Sequence, residues 1–492
     1  MRRLHNIPPG GTNEKDWKGP VMNPDPRRWW ALVVLAAAQF MVIMDTSIIA
    51  VALPDMQREL GFTPGGLQWV FNAYAVALGG LLLLGGRLSD LWGARRVFAA
   101  GWTTLIAGSV LAAAATGAGV EVLGRAVQGV GAALIAPAAM TLLMVLFAGQ
   151  SNELPKAMAF YGAAAPAGGT AGVFLGGVIT EWLSWPWVFI IYIPIGVLTL
   201  ALTPKLLPVV PGRRGGLDVG GAIAVTGGLA LAVYAIVQAP ERGWASTATL
   251  VQLGAAAVLL IGFLLVQRAV RNPLMPLEVW RTPDLAAANV AMALLGAAWI
   301  PMWYFLNLYV QQVLGFDSFA SGAALLPMTV LMTVLMTTVS GRLIGRFGTK
   351  PLVVAGLAVL AAGLGLLATA DPDGSFAVDV LPGSLISAVG MALVFIPATM
   401  AAIGAVAPDQ GGLASGIVNT TYQIGSALGL AAMTAVATSQ GADGLGDAVA
   451  LTEGYSAAFT GAALVALVAA LLAAFTLRGR VAEPAEQVAF KV

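Results

Sequence analysis

The chain has 492 residues, of which 58% are hydrophobic and 10% are charged. A soluble globular protein has about 25% charged residues, so these charges are too few to cover the surfaces of a soluble chain of this size. The composition therefore excludes a soluble enzyme and a disordered chain, and the net charge of +1 gives no field that would attract nucleic acid. Because there is no cysteine and the single histidine is His5, disulfides, thiolate or histidine metal sites and catalysis by Cys or His are excluded as well.

Hydrophobic stretches of about 20 residues recur along the chain, and each is long enough to cross a bilayer of about 30 Å as a helix. Their continuity favours helices over barrel strands, in which apolar and polar residues would alternate. We therefore predict an all-α integral membrane protein with fourteen transmembrane spans, at 31–53, 67–87, 97–115, 121–147, 157–180, 187–206, 218–239, 247–267, 285–313, 319–341, 351–370, 380–406, 412–438 and 455–477.

The basic residues are distributed unequally between the loops. With the N-terminus inside, the inner segments hold 22 of the 25 basic residues, the outer loops hold Arg58 and Arg242, and Arg125 lies in a span. Basic residues concentrate in cytoplasmic loops of membrane proteins. The distribution predicts a multi-pass protein of the plasma (inner) membrane with both termini in the cytoplasm.

Two short motifs occur twice. QRELGF (57–62) returns as QQVLGF (311–316), and GRLSDLWGAR (86–95) returns as GRLIGRFGTK (341–350), at offsets of 254 and 255 residues. Both pairs occupy the same topological place, which predicts a parallel repeat like that of transporter halves. Eight spans separate the copies, so spans 7 and 8 are predicted to be inserted. The predicted divisions are an N-terminal segment (1–28), a first six-helix half (29–206), the inserted pair (207–268), a second six-helix half (269–478) and a tail (479–492).

Two ionised side chains fall well inside a predicted span, Asp45 in span 1 and Arg125 in span 4. Each would cost about 2.5–3.5 kcal/mol at the centre of a membrane helix, so both are expected to face the bundle interior. Asp45 is then the one deeply placed group that can gain and lose a proton, and we predict that it couples transport to protons while Arg125, which stays charged, tunes it. The alternatives are a structural ion pair, a hydrogen bond between Asp45 and the hydroxyl of Thr46 or Ser47, and a purely anchoring role for Arg125.

The inner turn between spans 2 and 3 reads GRLSDLWGARR (86–96). Its glycines permit a sharp reversal, and its aspartate can pair with arginine or with a helix N-terminus. We predict a latch that joins the two halves in one state; a plain basic loop that fixes topology is the alternative. The predicted latch residues are Gly86, Arg87, Asp90, Gly93, Arg95 and Arg96.

Small and polar residues mark two further features. In span 5, Gly168, Gly172 and Gly176 recur every fourth residue beside Gly177, which favours close helix packing; we expect this packing to join the two halves, with ordinary helix packing as the alternative. Polar and aromatic residues inside spans are candidates for lining a cavity for amphipathic ligands, although helix–helix hydrogen bonding would also explain them. These cavity candidates are Asn72, Tyr74, Gln128, Trp303, Asn307, Gln311, Asn419 and Gln423.

Several segments together resemble the fourteen-helix drug:proton antiporters of the major facilitator superfamily. They are MDTSIIAVALP (44–54), WVFNAY (69–74), the 86–96 turn, LGRAVQGVGAA (123–133), whose arginine is Arg125, and GLASGIVNTTYQIGSALG (412–429). The chain departs from the antiporter pattern at Ala50, Val173 and Tyr192, where Asn, Pro and Asn are usual. The resemblance implies the fold of that superfamily, two six-helix halves that rock about a central cavity.

The resemblance also implies a function. We expect a proton-coupled secondary transporter that exports lipophilic or amphipathic drugs or antibiotics, and no enzyme activity, since the chain has no Walker motif and no other hydrolase motif stands out. Its expected partners are the lipid bilayer, small amphipathic substrates and protons, with no nucleic acid, no metal and no cofactor beyond the proton motive force, and we expect a functional monomer. A narrow-specificity metabolite or self-resistance exporter, a nutrient symporter and a non-transporting receptor remain alternatives.

Overall fold

The computed structural model describes residues 27–147, 153–212, 216, 218–270, 273–275, 277, 282–406 and 411–478. Most of the predicted N-terminal segment, the predicted tail from 479 and part of the connection before span 9 lie outside the described residues. The first half contains helices α1 (Arg28–Leu60), α2 (Trp69–Trp92), α3 (Ala94–Ala113), α4 (Ala118–Leu146), α5 (Leu154–Trp182) and α6 (Tyr192–Leu206). The inserted pair is α7 (Val219–Arg242) and α8 (Thr247–Ala269).

The second half contains six further long helices, three of which include a π-helical segment. They are α9 (Pro283–Leu308, continued by Tyr309–Val313), α10 (Ser318–Val334, continued by Leu335–Val339 and Ser340–Phe347), α11 (Thr349–Leu367), α12 (Leu381–Gly404, preceded by Phe376–Val380), α13 (Gly411–Ser439) and α14 (Ala448–Thr476).

Each of the fourteen predicted spans falls on one of these helices. Within the described part of the chain, thirteen helical segments are long and apolar enough to cross a membrane. The sixth, Trp187–Leu206, consists of a short helix at Trp187–Ile190 followed by α6. The fourteenth, α13, has 29 residues and is also long enough, but polar residues such as Asn419 and Gln423 lower its hydropathy. The predicted all-helical membrane fold is therefore confirmed.

Short polar side chains fix where several helices begin. Asp218 accepts a hydrogen bond from the backbone N–H of Gly221, at 2.7 Å, at the start of α7. Ser246, Asp317 and Asp447 cap α8, α10 and α14 in the same way. The first backbone N–H groups of a helix have no partner within the helix, so these side chains satisfy donors that would otherwise face the membrane boundary unpaired.

The repeat seen in the sequence is present in the backbone. Gly61 and Gly315 both turn the chain with positive φ, at 70° and 69°. Gly93 and Gly348 do the same between the next two helices, at 90° and 78°. Positive φ is accessible to glycine at no steric penalty, so the repeated glycines build equivalent turns in the two halves. We call the end of the bundle with Gly93 and Gly348 the basic face, and the end with Gly61 and Gly315 the opposite face.

Helix packing also repeats between the halves. In each half the first helix packs on the fifth, α1 on α5 and α9 on α13, and the third packs on the fourth, α3 on α4 and α11 on α12. In both halves, glycines of the fifth helix allow it to pack closely on the first helix. A Cβ added at Gly172 would lie 2.8 Å from the carbonyl oxygen of Met44 in α1, and one added at Gly425 would collide with the backbone of Ala293 in α9.

The two halves meet in the middle of the bundle and toward the opposite face. Near that face, Gln311 of α9 donates a hydrogen bond to the carbonyl oxygen of Val51 in α1, at 3.1 Å. Deeper in the bundle, the hydroxyl groups of Thr170 in α5 and Thr333 in α10 lie 3.0 Å apart, and α2 packs on α13. These contacts describe a state that is closed toward the opposite face.

The inserted pair packs across the boundary between the halves. α7 contacts both α2 of the first half and α13 of the second, and α8 lies against α7. At the basic face, Gln267 of α8 donates a hydrogen bond to Asp218 at 2.6 Å and accepts one from the backbone N–H of Met275 at 3.0 Å. Span 7 therefore contacts the two helices, α2 and α13, that pack on each other across the boundary between the halves, and span 8 contacts span 7.

The close packing of α13 on α9 leads to a first prediction. Gly425→Val should lower the melting temperature of the purified protein in detergent, because the added side chain collides with the backbone of Ala293 and overpacking costs about 1–3 kcal/mol. Gly254→Val is the matched control, since a Cβ at Gly254 of α8 would meet no atom within 4 Å. Equal melting temperatures for the two variants would contradict this packing.

Candidate functional site

The predicted pair Asp45 and Arg125 lies at the centre of a fully buried polar cluster in the first half. Glycines bring the surrounding helices close enough to build it. A Cβ at Gly129 of α4 would lie 2.5 Å from the carbonyl oxygen of Tyr74 in α2, and one at Gly108 of α3 would lie 2.6 Å from the backbone nitrogen of Gln128. Short helix separations of this kind let groups of α1, α2 and α4 converge on one guanidinium group, with α3 packed against α4 beside them.

Arg125 distributes its donors over three helices. Its Nη1 lies 2.6 Å from Oδ2 of Asp45 in α1 and 2.6 Å from Oε1 of Gln128 on its own helix. Its Nε donates to the carbonyl oxygen of Val70 in α2 at 2.8 Å. Charge-assisted bonds of this kind are stronger than neutral ones, so the arginine ties α1, α2 and α4 together.

Neighbouring groups support this arrangement. Gln128 donates to the hydroxyl oxygen of Ser109 in α3 at 2.8 Å. The guanidinium carbon of Arg125 lies 4.6 Å from the ring centroid of Tyr74, within the range of a cation–π interaction. The Tyr74 hydroxyl in turn donates to the carbonyl oxygen of Val42 at 3.2 Å.

The ion pair that the sequence left as an alternative is therefore formed in this state. Thr46 donates instead to the carbonyl oxygen of Ile43. Each residue of the ion pair has one polar atom without a hydrogen-bond partner, Oδ1 of Asp45 and Nη2 of Arg125. A proton added to Asp45 would remove its negative charge and weaken its bond to Arg125, so this pair can respond chemically to proton binding.

One acidic residue of this region was missed by the sequence reasoning. We expected Asp45 to be the one deeply placed group that can gain and lose a proton, but Glu121, in the first turn of α4, is also fully buried. It lies one turn before Arg125 and interacts electrostatically with both Arg125 and Asp45. The predicted span began at Glu121, which suggested a boundary position. The spacing of four residues from Arg125 was the available signal, since such pairs share one helix face.

The predicted latch contacts the connector between α6 and α7 in this state. Arg95 donates to the carbonyl oxygen of Leu207 and Arg87 to that of Gly216, both at 3.3 Å. A side chain at Gly93 would collide with the carbonyl oxygen of Val210, whereas Asp90 is exposed. A latch that joins this turn to the second half stays a prediction for another state.

The glycine stripe of α5 packs differently from our expectation. Cβ atoms added at Gly168, Gly172 and Gly176 would run into backbone oxygens of α1, which belongs to the same half. Gly177 alone of the four lies against α10 of the second half, near Ser318. The expectation that the whole stripe joins the halves is therefore wrong. The stripe repeats every fourth residue and so matches one partner helix, while Gly177 points about 100° away from Gly176.

The candidate cavity residues fall in three separate places. Tyr74 and Gln128 belong to the Arg125 cluster, and Asn72 bonds nearby to Gln68 at 3.1 Å. Trp303 and Asn307 are buried in α9, with Gln311 at the closed contact between the halves. On α13, Asn419 is exposed, and a Cβ at Gly79 of α2 would lie 2.8 Å from Gln423. Within the described residues, no group of three or more His, Cys, Asp or Glu side chains could hold a metal ion.

Comparison with known proteins decides the family. The sequence profile of the Major Facilitator Superfamily matches residues 35–430 and 331–492. The chain belongs to the Major Facilitator Superfamily. Two solved structures are similar in fold. The POT family transporter PepTSo superposes with a TM-score of 0.68 at 17% identity, over 92% of this chain and 98% of that chain. The nucleoside transporter NupG superposes with a TM-score of 0.63 at 16% identity, over 91% of this chain and 98% of that chain.

Curated relatives are more similar in sequence. The puromycin resistance protein pur8 of Streptomyces alboniger is 37% identical over 92% of this chain and 91% of its own length. The cephamycin export protein CmcT of Amycolatopsis lactamdurans is 37% identical over 90% and 91%. The tetracenomycin C resistance and export protein of Streptomyces glaucescens is 31% identical over 85% and 77%.

The geometry of the cluster yields a second prediction. Arg125→Lys keeps the positive charge, but one ammonium group cannot reach Asp45, Gln128 and the Val70 carbonyl together. Loss of one hydrogen bond to a charged group costs about 1.5–3 kcal/mol, so the variant should melt at a lower temperature. Arg58→Lys is the control, because Arg58 pairs with Asp55 in an exposed position. A melting temperature for Arg125→Lys equal to that of the control would rule out the proposed role of the guanidinium.

Proposed function

We propose that this protein is a proton-coupled secondary transporter that exports amphipathic drugs or antibiotics by alternating access. The observation that carries the proposal is the buried Asp45–Arg125 pair, a carboxylate and a guanidinium held 2.6 Å apart. It lies inside the bundle of a chain similar to antibiotic resistance and export proteins. Ionisable residues inside membrane helices are expensive and by default indicate ion or proton pathways.

Antiport follows if proton and substrate compete at this pair. Protonated Asp45 releases its hold on Arg125, and this change loosens the contacts among α1, α2 and α4 that the guanidinium maintains. A substrate that binds tightly when Asp45 is charged, and weakly when Asp45 is neutral, would then exchange for a proton. A ligand shifts a conformational equilibrium only by its different affinity for the two states, so the charge on Asp45 is the quantity that must differ between them.

The proposed location is the plasma membrane, with both termini in the cytoplasm and the basic face inside. The uneven distribution of basic residues supports this orientation. In that orientation the described state is closed toward the exterior. We propose that the 86–96 turn latches the basic face in the other state, that the protein works as a monomer, and that the proton motive force replaces any cofactor. Moving one proton through 100 mV releases about 2.3 kcal/mol, which sustains roughly a fifty-fold gradient of a neutral substrate.

The names of the similar proteins favour export over uptake as the direction of transport. Three of them are described as export or resistance proteins for puromycin, cephamycin and tetracenomycin C, and each name specifies one antibiotic. Self-resistance with narrow specificity is therefore the second candidate function. Val173 stands in α5 where the antiporter pattern usually has proline, so direction is the part of the proposal that transport measurements must test separately.

The role of Asp45 gives the third prediction. In proteoliposomes, an imposed pH gradient should drive ethidium or puromycin transport by the wild-type protein, and Asp45→Asn should reduce this transport at least tenfold, because the amide cannot exchange a proton. Asp55→Asn is the matched control, the same substitution on the same helix at a partly exposed position. Undiminished pH-driven transport in Asp45→Asn would remove Asp45 as the coupling residue.

Substrate range gives the fourth prediction. Expression in a sensitive bacterial host should raise the inhibitory concentration of at least one of puromycin, a cephamycin and tetracenomycin C several-fold, and Asp45→Asn should abolish the increase. Protection against a single compound would favour a self-resistance exporter, and protection against several would favour a multidrug exporter. Greater accumulation of these compounds in expressing cells than in cells with an empty vector would contradict export.

A further inference from the structure

Glu121 is a buried acid with no role in the mechanism so far. It lies in the first turn of α4, and its relative exposure is 0%. Neither of its carboxyl oxygens has a hydrogen-bond partner. A buried carboxylate normally accepts several hydrogen bonds or pairs with a cation. Because Glu121 has neither in this state, its surroundings suit the neutral, protonated acid.

The charges around Glu121 explain why one proton has to reside in the cluster. Among the described residues, Arg125 is the cation with which Glu121 interacts, and that cation is already bonded to Asp45. Two ionised acids beside one guanidinium would leave a net negative charge in a place from which water is excluded, which is strongly unfavourable. Neutrality requires that one of the two acids carries a proton.

Geometry provides a way to exchange the two acids. Glu121 precedes Arg125 by four residues, so their side chains lie on one face of α4. The Nη2 atom of Arg125 has no partner in this state, while Nη1 holds Asp45. The guanidinium therefore has a donor available for Glu121 without losing its bond to the Val70 carbonyl.

Other titratable groups near the pair come from two more helices. Tyr74 of α2 and Tyr192 of α6 both interact electrostatically with Asp45 and Arg125. Both are fully buried, and the Tyr192 hydroxyl has no hydrogen-bond partner. α3, which packs on α4, contributes the uncharged hydroxyl of Ser109. Among these described neighbours, Asp45 and Glu121 are the carboxylic acids, so they are the pair between which a proton can be exchanged at moderate pH.

We propose that Glu121 is a second proton-binding residue and that Arg125 alternates between Asp45 and Glu121. In the described state, Asp45 is ionised on Arg125 and Glu121 holds the proton. In the alternate state, the O–H bond of Glu121 breaks, its carboxylate pairs with Nη2 of Arg125, and an O–H bond forms on Asp45. One proton changes place and the net charge of the cluster remains zero.

The position of Glu121 gives this exchange a direction. Glu121 lies four residues, about 6 Å along the helix axis, nearer the opposite face than Arg125, and α4 begins three residues before it. A proton that enters from the opposite face would therefore reach Glu121 before Asp45. The relay rests on the proposed proton coupling and specifies its route: opposite face, Glu121, Asp45, basic face.

Infrared spectroscopy of the purified full-length protein in lipid nanodiscs tests the exchange without a transport substrate. The readout is the carbonyl stretching band of a protonated carboxylic acid at neutral pH. We expect this band in the wild-type protein and its loss in Glu121→Gln. We also expect its loss in Asp45→Asn, because Arg125 then has no carboxylate partner and Glu121 ionises to pair with it. Glu181→Gln removes an exposed acid of α5 and should leave the band unchanged.

Several outcomes would overturn the proposal. A band that survives in Glu121→Gln would show that Glu121 is not the protonated acid. A Glu121 band that persists in Asp45→Asn with the same pH midpoint would show a permanently neutral structural acid that does not exchange with Asp45. The Asp45→Asn measurement keeps Glu121 intact, so it gives a result even if Glu121→Gln fails to fold. In Glu121→Asp, which keeps a carboxylic acid at this position, the band should remain at a shifted frequency.

Transport measurements separate this proposal from the proposed function. Glu121→Gln should lower pH-driven puromycin or ethidium transport about tenfold and shift its pH profile, while exchange of substrate without a pH gradient continues. If wild-type transport ignores the pH gradient, the proposed coupling fails, whereas the infrared result still decides whether Arg125 alternates between two acids. Wild-type pH dependence that is unchanged in Glu121→Gln would exclude Glu121 from the proton route.

Discussion

The structure depends on one constraint, that a charge inside a membrane bundle must be satisfied by the protein itself. Arg125 meets it with an ion pair to Asp45, a hydrogen bond to Gln128 and one to the backbone of α2. These bonds involve three helices of the first half, and glycines at the crossing points let the helices approach closely enough to form them. The polar cluster therefore depends on the small-residue packing, because these bonds could not form if the helices stood farther apart.

The two halves share an architecture but differ in chemistry. Equivalent glycines turn both chains with nearly equal φ angles, and the fifth helix packs on the first in each half. Among the described residues, the buried charged side chains are Asp45, Glu121 and Arg125 of the first half and Asp218 of the inserted pair. The contacts between the halves, however, involve amides, hydroxyl groups and aromatic rings such as those of Phe71 and Tyr304. Such contacts are individually weak, so the halves can separate and rejoin without exposing a charge to lipid. This division suits a transporter in which the first half contains the groups that change charge and the second half moves relative to the first.

The inserted helices add a constraint that a twelve-helix bundle lacks. α7 touches both α2 and α13, and the connector that leads to it holds the 86–96 turn through backbone carbonyl groups. Movement of the halves must therefore be accommodated by α7 on one side of the bundle. The connector between α6 and α7 also accepts hydrogen bonds from Arg87 and Arg95 of the 86–96 turn, two of the residues that we expect to latch the second half. The position of the inserted pair and the contacts of that turn are therefore linked.

The sequence by itself determined the membrane class, the number of spans and the repeat, because each follows from local properties: apolar length, loop charge, and motifs at a fixed offset. It also identified Asp45 and Arg125, since charges within apolar runs are conspicuous. Only the tertiary structure decided that the two are paired, that the stripe from Gly168 to Gly176 faces α1, and that Glu121 is buried. Those facts depend on helix rotation and on how deeply a helix end is covered by its neighbours. Periodicity shows which residues share a face, but the partner of that face is settled by packing between distant segments.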